Sequence, residues 1–72
     1  NAISAGPMRT LAARGIKDFM LMYEGAKDKT PLKRNIKTSE VGDTTSFLCS
    51  DLASGITGEI IHVDAGYHAI GV

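Results

Sequence analysis

Cysteine, proline and unbalanced charge are what this sequence of 72 residues has least of, and each scarcity removes a class of protein. The single cysteine, Cys49, excludes an internal disulfide and fits a reducing compartment, where it reads as a small packing hydrophobe. With His62 and His68 it makes only three candidate metal ligands, none in the paired spacing of a zinc site, so no metal is expected. Two prolines, eight glycines, 43% apolar residues and 22% charged ones exclude collagen-like and disordered chains. Acidic and basic residues balance at eight each, so bulk charge gives no argument for nucleic acid or a membrane surface as partner. No apolar run approaches the roughly 20 residues that cross a bilayer, and none reads as a secretory leader. Neither G-x-G-x-x-G nor a P-loop is present, and there are no internal repeats.

What the chain does contain is an ordered alternation of apolar segments and breaks. Asn1 to Ser4 reads as the end of a strand, broken by Ala5-Gly6-Pro7. Thr10 suits the N-cap of a short turn, Leu11-Ala12-Ala13-Arg14, that Gly15 stops. A second helix is predicted from about Lys17 to Lys27. Ile16, Phe19, Met20 and Tyr23 form its apolar stripe, while Leu21 and Met22 lie off it. The charged, mostly basic run that follows is interrupted by Pro31 and reads as a solvated loop. A third helix, from near Thr38 or Ser39 to about Ser50, puts Val41, Thr44, Thr45 and Leu48 on one face. Glu59 to Asp64 is a strand whose nearly continuous apolar run marks burial on both faces of a parallel sheet, and a glycine-rich tail covers Ala65 to Val72.

Strand, helices, strand, with about fifty residues between the strands, is a right-handed crossover of βαβ type. Two buried parallel strands need further neighbours and helices on both faces. The expected fold class is therefore α/β, the C-terminal strand-helices-strand portion of a doubly wound, Rossmann-type domain. It is not expected to be autonomous, and the remaining strands are expected upstream.

Ligands of such sheets bind beyond the carboxyl ends of the strands, which places Ala5 to Thr10 at the binding edge. Gly6 permits close backbone approach and unusual dihedrals, Pro7 stiffens the turn, and Thr10 offers a hydroxyl to an anion. On spacing alone the segment reads rather as a routine strand-to-helix turn with an N-cap threonine. The second helix reads as a core helix, or as a mobile lid hinged at Gly15 and Gly25 whose extra apolar side chains, Leu21 and Met22, meet a hydrophobic substrate. His62 and His68 read as hydrogen-bonded structural histidines, and no set of nucleophile, base and acid is visible.

The stretches "NAISAGPMRT", "LAARGIKDF", "PLKRN" and "EVGDTTSFLCSDLASGITGEIIHVDAGYH" together resemble the C-terminal part of the enoyl-[acyl-carrier-protein] reductases. These are short-chain dehydrogenases of fatty acid biosynthesis, and the resemblance runs over essentially the whole chain. "SAGP" is its most specific element, because other short-chain dehydrogenases usually carry the order Pro-Gly there. The "SDLASGITGEIIHVDAG" block is shared more widely and speaks for the fold.

The resemblance implies an oxidoreductase that uses NADH (NAD) to reduce the 2,3 double bond of an enoyl thioester on acyl carrier protein. The catalytic tyrosine and lysine of the family lie upstream, so no residue here is expected to be catalytic. By similarity, Gly6, Pro7, Met8, Arg9, Thr10, Leu11 and Ala12 line the cofactor. Within that run the Met8 backbone meets the nicotinamide carboxamide and Thr10 the pyrophosphate. Ala12, Ile16, Phe19 and Met22 match substrate-binding positions, which divides the chain into a cofactor turn (1–10), a substrate loop with its helices (11–29), a helix (38–50), the last strand (59–64) and a tail (65–72). Lys17 matches a carrier-protein docking position. Its usual basic companions are Met20 and Leu21 here, which shifts docking toward Arg14 or the later lysines. The resemblance further implies a cytoplasmic homo-oligomer, a tetramer, with the apolar "HAIGV" tucked against a neighbour, and with the remainder of the same polypeptide as partner. A 3-ketoacyl or alcohol reductase of the same superfamily, or a non-enzymatic interaction module, are the alternative readings.

Overall fold

The computed structural model describes residues 1–8 and 19–70. Two strands, β1 (Ala2–Ala5) and β2 (Ile60–Val63), flank two helices, α1 (Phe19–Lys29) and α2 (Thr38–Leu48). Short 3-10 turns follow at Asp51–Ala53 and Tyr67–Ile70. The strands pair in parallel, Ala2 opposite Ile60 and Ala5 opposite Val63, as a crossover connection requires. Asn1 pins the open end of the pair: its side chain accepts from the Glu59 N–H at 3.0 Å and donates to the Ile56 carbonyl at 3.2 Å.

Element ends differ from the sequence expectation by a residue or two, for identifiable reasons. β1 continues through Ala5, because Gly6 still donates to the Val63 carbonyl at 2.9 Å. The break falls at Pro7, which has no N–H to give. α1 runs to Lys29 rather than Lys27, and the Thr30 N–H still reaches the Ala26 carbonyl at 3.1 Å before Pro31 ends the series. α2 stops at Leu48 rather than Ser50, because Ser50 turns extended and caps the following 3-10 turn by accepting from Leu52 N–H. β2 is Ile60–Val63, shorter than 59–64 by one residue at each end. Asp64 leaves the ladder to serve the turn after it. The tail is ordered by the 3-10 turn Tyr67–Ile70. The expected turn at Leu11 to Arg14, with its Thr10 cap and Gly15 stop, lies outside the described residues.

α2 starts on a compact electrostatic device. The Glu40 carboxylate accepts from the Lys37 backbone N–H at 2.8 Å, satisfying one of the orphan donors at a helix N-terminus. The Arg34 guanidinium grips the same carboxylate through both arms, at 2.8 and 2.9 Å. These bonds, Arg34 first, lower the Glu40 carboxyl to about 2. The loop before α2 is tied down further by buried Thr30, whose hydroxyl donates to the Arg34 carbonyl at 3.0 Å and accepts from the Arg34 N–H at 3.2 Å. The basic run is thus solvated, as expected, but partly engaged.

The buried apolar residues are small or few: Ala26, Ile36, Ala53 and Ala65. Within the described residues one face of the last strand is covered. Ile61 and Val63 are half-buried on the side where α2 packs, whereas Ile60 is 64% exposed. Side chains alternate across a strand, so one covering layer protects alternate residues only. Cys49 is likewise exposed rather than buried, at a hollow it lines with Ile3 and Leu48. No helix among the described residues is long and apolar enough to cross a membrane.

Candidate functional site

The carboxyl ends of β1 and β2 meet at a backbone junction that glycine makes possible. A Cβ on Gly6 would stand 3.1 Å from Asp64 Cα and 3.2 Å from its Cβ, tighter than side chains normally pack. The expected close approach is therefore present. The expected unusual dihedral is not, since the glycines with positive φ are Gly58 and Gly66. Gly6 is needed for space, not for backbone freedom. Pro7 and Met8 follow, half-buried, where the chain leaves the sheet.

Across from this turn lies α1. Pro7, together with Leu21, Met22, Gly25, Ala26 and Lys29 of α1 and Tyr67 of the tail, encloses an open cavity of about 310 Å³. The lining is mainly apolar, with Lys29 and Tyr67 the lining residues that carry polar side-chain groups. Leu21 and Met22 are 77% and 55% exposed, so the two apolar residues off the helical stripe are those that face the opening. α1 is anchored where Ala26 is buried and where Asn35 donates to the Tyr23 carbonyl at 2.6 Å. Glu24 and Lys27, one turn apart, pair at 2.6 Å on its exposed side and raise the Lys27 ammonium pKa.

The second feature of this edge centres on Asp64. Its carboxylate accepts from the Gly66 N–H at 3.0 Å, from the His68 N–H at 3.1 Å and from the His68 ring at 3.0 Å. Burial pushes the carboxyl up, but these bonds outweigh it and hold Asp64 below its ordinary value. Ala65 and Gly66 take positive φ, 58° and 91°, to reverse the chain. A Cβ on Gly66 would fall 2.8 Å from Pro31 Cγ, so only glycine fits both the dihedral and the space. The reversal stacks the His68 ring on His62, with centroids 3.9 Å apart and planes 11° apart.

Of the residues predicted for the site, Gly6, Pro7 and Met8 stand together at the sheet edge, and Met22 shares a cavity with Pro7. Arg9, Thr10, Leu11, Ala12, Ile16 and Lys17 lie outside the described residues, and Phe19 opens α1 with its side chain undescribed. Sequence reasoning missed Tyr67 and Lys29 as cavity residues and Asp64 as the partner of both histidines. The only available signal for Asp64 was its spacing of two from His62, which puts the pair on one side of an extended chain.

The enoyl-(acyl carrier protein) reductase family model matches residues 1–68. An NADH-dependent enoyl-[acyl-carrier-protein] reductase of Haemophilus influenzae is 60% identical over 67 residues, 93% of this chain and 26% of the relative. An NADPH-dependent one of Staphylococcus aureus is 56% identical over 70 residues, 97% of this chain and 27% of the relative. The crystal structure of the Aquifex aeolicus NADH enzyme superposes with a TM-score of 0.90 at 54% identity, covering 100% of this chain and 28% of that one. The chain thus spans about a quarter of the length of the relatives it matches.

Proposed function

The chain belongs to the enoyl-(acyl carrier protein) reductase family, and from that premise we propose that the protein carrying it reduces the 2,3 double bond of enoyl thioesters held on acyl carrier protein. The observation that carries this reading is the family match, continuous over residues 1–68, from β1 through both helices and β2 into the tail. A nicotinamide cofactor, NADH in this reading, supplies the hydride when bound.

The residues present suit such a group. The carboxyl edge of a parallel sheet is where dinucleotides are held, and Gly6 draws β1 against Asp64 so that the chain beyond it emerges at that edge. In this reading the Met8 backbone holds the carboxamide, Thr10 meets the pyrophosphate, and the run from Gly6 to Ala12 lines the cofactor. Ala12, Ile16, Phe19 and Met22 hold the acyl chain, and α1 acts as its lid. The cavity between Pro7, Met22 and Tyr67 supports that assignment because it joins the cofactor turn to the lid through apolar surface. Burial there removes acyl methylenes from water at about 0.8 kcal/mol each. Lys17, or Arg14 and the later lysines in its stead, receives the acidic carrier protein. The catalytic tyrosine and lysine belong to the remainder of the polypeptide, and the assembly is a cytoplasmic tetramer.

The test is NADH and NADPH oxidation by the full-length protein with a 2-enoyl thioester of acyl carrier protein. Turnover with NADH is expected. Turnover only with a 3-ketoacyl thioester, or with neither substrate, overturns the reading.

A further inference from the structure

We propose that His62, Asp64 and His68 form a binding site for a divalent transition-metal ion of the zinc class at the end of β2. The three offer one ligand atom each, all within 4.8 Å of one another. Both histidines direct Nδ1 at the same carboxylate oxygen, Asp64 Oδ2, His68 from 3.0 Å and His62 from 3.8 Å. Ligand atoms about 2.1 Å from one ion stand about 3.0–3.4 Å apart in octahedral or tetrahedral geometry. The His68 contact already has that separation, and the His62 contact exceeds it by less than 1 Å.

The fold supplies the other requirements of a site. Asp64 is only 11% exposed, and the Gly66 and His68 N–H groups fix its orientation, each using one lone pair and leaving others for an ion. The turn that brings His68 back over His62 favours Gly66, where a side chain would be strained by the positive φ and crowd the Pro31 ring. Metal takes the place of the Nδ1 proton that His68 holds against Asp64, and that proton leaves to solvent; the rings lie nearly parallel, so one must turn for both to meet the same ion. Among the described residues the His62 and His68 side chains are 36% and 48% exposed. Two imidazoles and one carboxylate select zinc, cobalt or nickel over magnesium or calcium, which favour all-oxygen shells. Water fills the remaining positions. Bound metal ties the turn bearing Tyr67, a wall of the cavity, to the end of the sheet.

The experiment is calorimetric titration of the chelator-stripped full-length protein with zinc chloride at neutral pH, repeated with magnesium chloride. One zinc per chain at micromolar affinity is expected, with no magnesium binding. His62→Ala and His68→Ala should each weaken zinc by about tenfold or more, while Cys49→Ser leaves it unchanged. Metal-free melting curves of the variants matching wild type would show that the loss is of ligands rather than of fold. Zinc binding that survives in both histidine variants, or no stoichiometric binding at all, overturns the proposal.

Discussion

A methyl group added at Gly6 or Gly66 meets another part of the chain within 3.1 Å, whereas one added at Gly25, in α1, meets nothing within 4 Å. The junction at the end of the sheet is closely packed: β1 against Asp64, the reversal against the Pro31 ring, and Leu32 N–H on the Ala65 carbonyl at 3.2 Å. α1 instead turns Leu21 and Met22 outward, with buried Ala26 and the Tyr23 carbonyl among its described points of attachment. In the proposed function this contrast would be a division of labour, with the fixed junction positioning the cofactor and the more open apolar helix admitting the acyl chain.

Substitutions at the three glycines put this contrast to the test in order of expected effect. Gly66→Ala forces a left-handed φ and a clash with the Pro31 ring at once. It should cost about 2 kcal/mol, read as a lower melting temperature of the full-length protein. Gly6→Ala asks Asp64 to move by a few tenths of an ångström and should cost about 1 kcal/mol. If the junction positions the cofactor, it should also raise the KM for NADH more than the KM for the enoyl thioester. Gly25→Ala has the opposite sign. Replacing a mid-helix glycine in open space should stabilise by roughly 0.5–1 kcal/mol. The new methyl group, set in the cavity wall, should weaken long-chain thioesters while leaving NADH binding alone. A destabilised Gly25→Ala with an unaffected Gly66→Ala would erase the distinction between the two regions.

The smallest effect concerns the start of α2. A carboxyl whose folded pKa is depressed contributes stability above its unfolded pKa and loses it as pH falls toward the folded one. For Glu40 that window runs from its ordinary value of 4.5 down to about 2. Urea midpoints of wild type and Glu40→Gln should therefore differ at neutral pH and converge across this window. High salt should narrow the difference, because Arg34 and Glu40 are both partly exposed.

Much of the architecture was legible because it rests on local periodicity. Apolar runs at both ends and a long connection between them are enough to demand parallel strands. The off-stripe positions of Leu21 and Met22 announced an exposed apolar patch, and Gly6 announced a close approach. Burial was less legible. The apolar run of β2 speaks for two covering layers, while the described residues provide one, so Ile60 and Cys49 stand exposed. The cavity residue Tyr67 and the His62–Asp64–His68 group had no sequence pattern to reveal them, because each depends on where the tail goes after Asp64.

By itself the sequence determined the strand and helix order, the parallel pairing and the glycine at the sheet edge, since these follow from side-chain spacing and the absence of a Cβ. Only the tertiary structure decided that the chain reverses at Ala65 and Gly66. Two successive positive φ angles, packed against the Pro31 ring, bring His68 back to Asp64, four residues before it, and to His62, six before it, and set Tyr67 against α1. That convergence is a property of dihedral angles and packing, which no spacing along the chain encodes.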